Sequence, residues 1–344
     1  MVQCNRRSPF NFRRILGVPK GRNPKAIALC ASAFLKLRGT PIGDRNLETV
    51  HQLLSWLVEN RSQDFAGISW GYNFDWQSRS FFVAKGSPNA VCTIFAASAF
   101  LDAFEMFGDP RYLEVARESC VFLIRELLVR QDGEIHFRYI PAQDTQIHNV
   151  NLLAAALLAR TAKSTGESQW IDYARDAITF SMNRQRTDGS WPYGEASNLQ
   201  WIDNYHTGYN IVALQQYQRY CGDYRFMSVV RNAYDFWERH LFMPDGAPKL
   251  YHDRRYPVDI HCVAQAILTY LELDLPDREE KLTRIVHWAL RYMWSSRGYF
   301  WFQRHRFYVT RIPYVRWSTA WMLYALSHLC SALRERSQGF HGDR

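Results

Sequence analysis

The sequence lacks the features that would divide its 344 residues or carry them across a membrane. No stretch rich in proline, glycine or serine separates two parts of the chain, which favours one domain. No apolar run approaches the roughly 20 residues needed to span a bilayer. The basic first residues have no apolar segment of the kind found in a secretory signal. We therefore expect one folded domain with no transmembrane segment.

Regularly spaced cysteines and familiar catalytic signatures are also missing. The seven cysteines are an odd number, lie far apart and show no CxxC spacing. This pattern does not indicate a disulfide framework. Most of the cysteines are expected to be reduced thiols, which predicts a cytoplasmic protein. The sequence has no phosphate-binding glycine loop, HExxH or GxSxG motif. It therefore gives no support for nucleotide binding, zinc-protease chemistry or serine-hydrolase chemistry.

Basic residues outnumber acidic ones, which gives the chain a formal net charge of +9 and a pI of about 9.2. This balance favours an anionic partner: an acidic glycan, nucleic acid, a phosphorylated lipid or a membrane surface. Zinc fingers, RNP motifs and basic zippers are missing, so no nucleic-acid partner is predicted. Much of the charge lies near the N-terminus, in Arg6, Arg7, Arg13, Arg14, Lys20, Arg22 and Lys25. A solvated basic arm is the simplest interpretation of this segment.

Aromatic turn segments recur roughly every 50 to 65 residues and reveal an internal repeat. Each is followed by an apolar helix rich in small residues, then by a short turn and a more amphipathic helix. The turn segments are 67–76, 132–139, 188–195, 245–256 and 297–308. The small-residue helices are 25–37, 87–104, 148–161, 203–217, 259–273 and 316–329.

The repeat predicts an all-α fold, a single (α/α)6 toroid of inner and outer helices spanning residues 25–337. A basic arm, 1–24, would precede the toroid, and a flexible tail, 338–344, would follow it. In a closed ring the inner helices run parallel, so their N-termini and the aromatic turns lie at one mouth. Converging N-termini carry partial positive charge, which favours an anionic ligand there.

Two resemblances support this architecture. The segment QRTDGSW, 185–191, resembles the Q-x-x-D-G-x-W repeat of squalene and oxidosqualene cyclases, whose toroid is shared with protein prenyltransferases. The aspartate-rich acid motif and the prenyltransferase zinc pattern are missing, so this resemblance implies the fold alone and disfavours a terpenoid cyclase. A second, wider resemblance runs through WQSRSFFVAKGSPNAVCTIFAASAFLDA, HNVNLLAAALLAR and DGSWPYGE followed by WIDNYHTGYNIVAL. These segments are similar to toroid proteins from bacterial exopolysaccharide gene clusters.

Polar side chains cluster where the inner helices are expected to begin. His148, His206 and His261 stand near the starts of three successive inner helices, so a shared mouth would bring them together. Histidine, tyrosine and carboxylate groups there are candidates for moving protons, and arginine for polarising an anionic group. Helix capping, packing and salt bridges are the alternative interpretation. The candidate catalytic residues are His206, Tyr205, His261, His148, Glu195 and Arg316.

Aromatic residues make up 15% of the chain and cluster in the turn segments. Ring faces offer stacking surfaces for sugars, although a packed aromatic collar without a ligand is the alternative. The candidate substrate-binding residues are Trp70, Tyr72, Asp75, Trp76, Asn149, Asn151, Trp191, Tyr193, Asp203, Asn204, Tyr209, Asp259, Tyr251, Arg255, Trp301, Arg304 and Tyr314.

The wider fold includes polysaccharide lyases and glucuronyl C5-epimerases, so the resemblance implies an acidic polysaccharide or glycan intermediate as substrate. The leading hypothesis is abstraction of the C5 proton of a uronic acid, by a lyase or a C5-epimerase linked to exopolysaccharide biosynthesis. Asn149, Asn204 or Arg316 would polarise the carboxylate, while His206, His261 or Tyr205 would move protons.

Other functions stay open at this point. A glycoside hydrolase would use Glu195, with a pKa raised by its aromatic neighbours, together with Asp75 or Asp203. A non-catalytic glycan-binding or assembly protein, associated peripherally with exopolysaccharide machinery, is a third possibility. Asp259, His261 and Cys262 lack an evident further ligand, so no metal or other cofactor is predicted, although metal dependence stays open.

Overall fold

The computed structural model describes residues 8–78, 81–273 and 275–342 of the chain, and their side chains up to residue 337. Helices dominate this described part, joined by turn segments that contain short strands. In chain order the helices are α1 (Pro24–Lys36), α2 (Pro41–Arg45), α3 (Leu47–Glu59), α4 (Ala90–Phe107), α5 (Pro110–Phe122), α6 (His148–Thr165), α7 (Ser168–Met182), α8 (Asn204–Cys221), α9 (Met227–His240), α10 (Ile260–Glu272), α11 (Arg278–Met293) and α12 (Ala320–Gly342). Short helical segments of other types cover Leu123–Leu127, Ser197–Leu199 and Val315–Thr319.

Six inner helices, α1, α4, α6, α8, α10 and α12, form a closed ring. Each packs against the next along the chain, and α12 returns to pack against α1. The outer helices α3, α5, α7, α9 and α11 each pack on the inner helix that precedes them. This arrangement confirms the expected all-α toroid, with six inner and five long outer helices among the described residues.

Small side chains explain the close packing of the inner helices. In α6, Ala154, Ala155 and Ala159 are fully buried, which lets neighbouring helices approach on both sides. Helix α4 is long and apolar enough to cross a membrane by composition, but 61% of that span is buried inside the protein. Its apolar character is therefore accounted for by its place between other helices of the ring.

Polar residues fix where the inner helices begin. Asn89 Oδ1 accepts the Cys92 amide at 2.9 Å at the start of α4, and Asn23 Oδ1 accepts the Ala26 amide at 3.3 Å at the start of α1. Each bond satisfies an amide that has no partner within its helix. The capping interpretation is thus correct for several mouth residues, and it does not conflict with a second role.

The turn segments form short antiparallel pairs at the ends of the ring. Strand β1 (Trp76–Gln77) pairs with β2 (Phe82–Val83), and β3 (Leu128–Gln131) with β4 (Glu134–Phe137). Further along, β5 (Val258–Asp259), β6 (Trp294–Ser295), β7 (Tyr299–Phe300), β8 (Gln303–Arg304) and β9 (Val309–Thr310) follow. The sheet order β5-β8-β9 ties the start of α10 to the segment that precedes α12.

The segments expected to flank the toroid differ in structure. Residues 8–23 of the arm contain no helix or strand and are mostly exposed. At the other end, α12 continues through the expected tail as far as Gly342, while 343 and 344 lie outside the described residues.

Candidate active site

A cavity of about 360 Å³ lies at the mouth of the ring, and the starts of the inner helices form its floor. The second residue of each inner helix from α1 to α10 lines it, and Arg316 holds the same place in the segment that leads into α12. The equivalent residue of each of the six repeats therefore faces the same cavity. These six residues are Lys25, Val91, Asn149, Tyr205, His261 and Arg316.

His206 is held by the residue that caps its helix. Asp203 Oδ1 accepts the His206 amide at 3.0 Å, while its Oδ2 lies 2.6 Å from His206 Nδ1. Trp201 Nε1 donates to the same Oδ2 at 3.0 Å. An ionised carboxylate only accepts hydrogen bonds, so Nδ1 carries a proton toward it and Nε2 is the nitrogen left for a ligand.

His261 lies on the next inner helix in an aromatic environment. Its Nε2 is 2.6 Å from the Tyr209 hydroxyl, and its ring stacks on Tyr205 and Trp321 with centroids 4.4 Å away on each side. Burial, reinforced by Lys25 and other nearby cations, lowers the pKa of His261 well below its usual value. His261 is therefore a neutral imidazole at neutral pH, and its Nε2 faces the Tyr209 hydroxyl.

Tyr205 separates the two imidazoles. Its ring centroid lies 4.3 Å from that of His206 and 4.4 Å from that of His261. Burial raises the pKa of Tyr205 well above its usual value, so its hydroxyl keeps its proton. The cavity thus holds two imidazoles beside a phenol that can donate.

Two cations lie in the same cavity. Lys25 is only 6% exposed, and its Nζ lies 5.4 Å from the centre of the Trp321 ring that stacks on His261. Arg316 lies over Tyr72 and Trp317, 4.7 and 4.4 Å from the ring centres. Burial, followed by repulsion from Arg316, lowers the pKa of Lys25 to about 7. No carboxylate of the described residues forms an ion pair with either cation.

The walls of the cavity combine aromatic rings with an unsatisfied amide. Tyr193 stacks on Trp201 at 4.5 Å, and Tyr72 and Tyr139 share a hydrogen bond of 2.9 Å between their hydroxyls. Asn149 is buried, and its Oδ1 has no hydrogen-bond partner in the described part of the protein. A ligand that donates a hydrogen bond to this oxygen would satisfy it.

Many of the residues singled out from the sequence do line this cavity. From the candidate catalytic set it contains His206, Tyr205, His261 and Arg316. From the candidate binding set it contains Tyr72, Trp76, Asn149, Tyr193, Tyr209, Tyr251 and Asp259. Asp203 stands one layer behind, bonded to His206.

His148 and Glu195 form a separate pair. His148 Nε2 lies 2.7 Å from Glu195 Oε1, its Nδ1 lies 3.2 Å from Ser181 Oγ, and neither residue lines the cavity. The expected meeting of three histidines therefore holds for His206 and His261 only. As the first residue of its helix, His148 points toward α7, whereas the second residue points into the ring. The expected rise in the Glu195 pKa is wrong, because the hydrogen bond with His148 lowers it.

Several other expected binding residues tie the turns and inner helices to the outer layer. Trp70 Nε1 donates to the Leu57 carbonyl and Trp191 Nε1 to that of Ser181, both at 2.7 Å. Asn151 and Asn204 donate in the same way to carbonyls of Ala177 and Leu241. These four side chains are buried and hold the fold together away from the cavity.

The remaining expected binding residues lie outside the cavity lining. Asp75 is exposed and accepts the Lys85 amide at 2.8 Å, which closes its own loop. Tyr314 packs behind the cavity residues Phe302 and Trp317. Trp301 lies under Arg311, Arg304 over Tyr292, and Arg255 in a separate surface cleft.

Sequence reasoning missed Lys25, Gln303 and Trp201. By sequence Lys25 belongs to the basic N-terminal residues, although the repeat places it at the same helix position as His261. Aligning the second residues of the inner helices would have found it. Gln303 donates to Asp259 Oδ2 at 2.6 Å across the β5–β8 pair, a contact between residues 44 positions apart that no local pattern shows.

The residues weighed as metal ligands are engaged otherwise. Asp259 accepts bonds from the His261 amide and from Gln303, and His261 Nε2 faces Tyr209. Among the described residues, no group of three or more histidine, cysteine, aspartate or glutamate side chains is placed to hold a metal ion.

Comparison with known proteins bears on the fold alone. No protein-family model matches the chain, and no curated protein matches it either. Cellobiose 2-epimerase from Bacillus thermoamylovorans is similar over 90% of this chain and 88% of its own, at 10% identity and a TM-score of 0.73. An unsaturated glucuronyl hydrolase specific for heparin is similar over 90% and 86%, at 14% identity and a TM-score of 0.65.

A glycoside hydrolase family 76 mannosidase from Bacteroides thetaiotaomicron is similar over 91% of this chain and 87% of its own, at 11% identity and a TM-score of 0.63. At such low identity these likenesses establish a shared architecture. They agree with the ring derived from the helix contacts, and the chain has the α/α-toroid fold.

Proposed function

We propose that this protein is a carbohydrate-active enzyme that moves the C5 proton of a uronic acid in an acidic polysaccharide or glycan intermediate. One observation carries the proposal. Two imidazoles with separate partners, His206 on Asp203 and His261 on Tyr209, share one cavity with the cations Lys25 and Arg316. The three toroid enzymes named above act on saccharides by their names, which agrees with a sugar in this cavity.

The cations supply the carboxylate site. Removing a proton next to a carboxylate builds negative charge on its oxygens, and positive groups in a water-poor cavity stabilise that charge. Lys25 and Arg316 have no carboxylate partner among the described residues, so a substrate carboxylate would be their counter-ion. Asn149 Oδ1 would accept a hydroxyl of the same sugar.

The imidazoles supply the proton transfers. One of them takes the C5 proton, and the electron pair left on carbon is delocalised onto the carboxylate held by the cations. His206 Nε2 is suited to accept that proton, because Asp203 holds the ring through Nδ1 and leaves Nε2 for a ligand. His261, whose Nε2 contacts the Tyr209 hydroxyl, would return a proton supplied by that phenol.

Two separate proton carriers favour an epimerase over a lyase. Inversion at C5 needs one group to remove the proton and a second to deliver a proton to the opposite face. Elimination instead expels the substituent at C4, and one acid–base group suffices for it. We therefore place C5-epimerisation first and elimination second.

Glycoside hydrolysis is less well supported. It needs two carboxyl groups facing each other across the sugar. Glu195 and Asp75 lie outside the cavity lining, and Asp203 and Asp259 are occupied by hydrogen bonds at helix starts. A non-catalytic glycan-binding protein would not need two oriented imidazoles beside the cations.

The cellular setting is part of the same proposal. The resemblance of the segments 76–103, 148–160 and 188–214 supports a link to exopolysaccharide biosynthesis. We propose a cytoplasmic enzyme, since six of its cysteines are free thiols. Peripheral association with assembly machinery would bring it to its substrate.

The test is incubation with a panel of uronic-acid polysaccharides in deuterated water, with cellobiose as a neutral comparison. We expect deuterium at C5 of one uronate, without new absorbance from an unsaturated uronate. Such absorbance would instead assign elimination. New reducing ends without either signal would assign hydrolysis, and exchange on cellobiose alone would refute the requirement for a carboxylate.

A further inference from the structure

Residues 8–22, which lead into α1, form an exposed segment with several large apolar side chains at the surface. Ile15 is 83% exposed and Phe10 68%, while Phe12, Leu16 and Val18 are each more than 40% exposed. Five large apolar side chains within nine residues are far more than scattered surface positions would give. We name residues 8–22 the apolar arm.

The charge of the apolar arm has one sign. The first acidic residue in the chain is Asp44, so no carboxylate side chain within the arm offsets its cations. Those described in the arm are Arg13, Arg14, Lys20 and Arg22, and of these Arg14, Lys20 and Arg22 are exposed. The arm thus combines exposed apolar and basic side chains within one short segment.

The arm has a defined shape. The Leu16 amide donates to the Phe12 carbonyl and the Val18 amide to that of Arg13, both at 2.9 Å. These bonds close a compact turn with Ile15 at its apex. Gly17 completes the turn at a φ of +64°, a conformation that glycine adopts without strain.

The turn is also fixed to the ring beside the cavity. Arg13 lies 4.2 Å from the centre of the Tyr314 ring, and Tyr314 packs at 4.8 Å on Phe302, a cavity residue. Asn23, just after the arm, donates to Asn73 Oδ1 at 3.1 Å. The apolar apex of the turn is therefore held close to the mouth of the ring.

We propose that the apolar arm docks the protein on the surface of an anionic lipid bilayer. Ile15 and its apolar neighbours would enter the boundary between headgroups and acyl chains, while Arg14, Lys20 and Arg22 would face the anionic headgroups. Aliphatic side chains at the apex favour this partner over a nucleic acid, which would be bound by stacking and polar groups. This inference does not depend on the reaction catalysed in the cavity.

The test is co-sedimentation of the full chain with vesicles of phosphatidylcholine, with and without phosphatidylglycerol. We expect binding that requires phosphatidylglycerol and weakens as salt is raised. Each basic residue near such a surface is worth about fivefold in partitioning. Arg14→Glu with Lys20→Glu should therefore reduce binding by about 25-fold or more, and Ile15→Asp with Leu16→Asp should abolish it.

Matched controls are available on the outer helices. Arg231→Glu with Arg291→Glu makes the same charge change on α9 and α11, and Leu290→Asp adds a charge at an exposed apolar position of α11. These variants should keep most of the binding. Failure of the unmodified protein to bind phosphatidylglycerol vesicles would overturn the proposal, as would equal losses in arm and control variants. Tight binding to RNA with no binding to vesicles would assign the arm to nucleic acid instead.

Discussion

Lys25 is a cation placed among aromatic rings, beneath the Trp321 ring that stacks on His261. Its charged form is disfavoured by burial, which lowers its pKa to about 7. A site that only had to be stable would hold an uncharged side chain here. An ionisable lysine is retained here at a cost in stability, which is typical of a residue that binds or activates a ligand.

Replacing Lys25 by methionine should raise the free energy of unfolding at pH 7. The unfolded chain keeps Lys25 protonated up to about pH 10.5, whereas the folded chain releases the proton near pH 7. Between these values the unfolded state binds more protons, so wild-type stability rises with pH. The advantage of Lys25→Met should thus be largest at or below pH 7, up to about 5 kcal/mol at about 1.4 kcal/mol per pKa unit.

The measurement is urea unfolding of both proteins at pH 6.5 and pH 9.5. The difference should shrink at the higher pH, and Lys20→Met, at an exposed lysine of the arm, should show no such trend. A difference that is constant with pH would show that Lys25 keeps an ordinary pKa.

Asp203 has two tasks, because one oxygen caps α8 and the other orients His206. Asparagine can cap a helix nearly as well but cannot hold the imidazole through an ionised oxygen. Under the proposed function, Asp203→Asn should lower kcat by about 10²–10⁴-fold with little loss of stability. Asp109→Asn, at the cap of outer helix α5, is the matched control and should leave kcat unchanged. Equal activity of the two variants would remove His206 from the mechanism.

At the scale of elements, the tight turns that join helices fix how closely the layers approach. Gly189 has a φ of +89°, and a Cβ there would lie 2.2 Å from the Asn232 carbonyl oxygen on α9. Gly166, after α6, has a φ of +81° with nothing within 4 Å of the equivalent position. The two glycines share backbone geometry and differ in what surrounds them.

Alanine at these two positions should separate backbone strain from steric exclusion. Gly166→Ala should cost about 1–2 kcal/mol, the strain of a left-handed alanine. Gly189→Ala should cost roughly 1–3 kcal/mol more, because the turn must move away from α9. Urea unfolding of both variants measures the difference. Equal costs would mean that the turn and α9 are not in rigid contact.

At the scale of the whole molecule, closure of the ring brings the last inner helix against the first. Arg334, on α12, donates to the carbonyls of Arg38 and Gly39, both at 2.9 Å. Trp321, also on α12, contacts Phe95 of α4, Tyr209 of α8 and His261 of α10. One indole therefore packs against three other inner helices at the base of the cavity.

Trp321→Ala should destabilise the protein by about 3–5 kcal/mol, since it removes a fully buried indole at the centre of the ring. Trp321→Phe should cost much less, because the indole Nε1 has no hydrogen-bond partner among the described residues. Thermal or urea unfolding of both variants distinguishes these outcomes. A small effect of Trp321→Ala would mean that the ring is closed mainly through its outer layer.

The sequence by itself determined the ring, because the alternation of apolar and amphipathic helices shows which helices are buried and which face solvent in every repeat. It also located His206, His261, Tyr205 and Arg316, since residues at helix starts share a mouth once the inner helices run parallel. The cap role of Asp203 could likewise be expected from its place before α8.

Only the tertiary structure decided which polar residues share the cavity. His148 and Asn149 are adjacent in sequence, yet His148 turns outward to Glu195 and Asn149 lines the cavity. Lys25 lines the cavity because ring closure buries it among helices more than 60 residues away in the chain. Side-chain direction and burial depend on the angle at which each helix packs, and sequence spacing alone does not specify that angle.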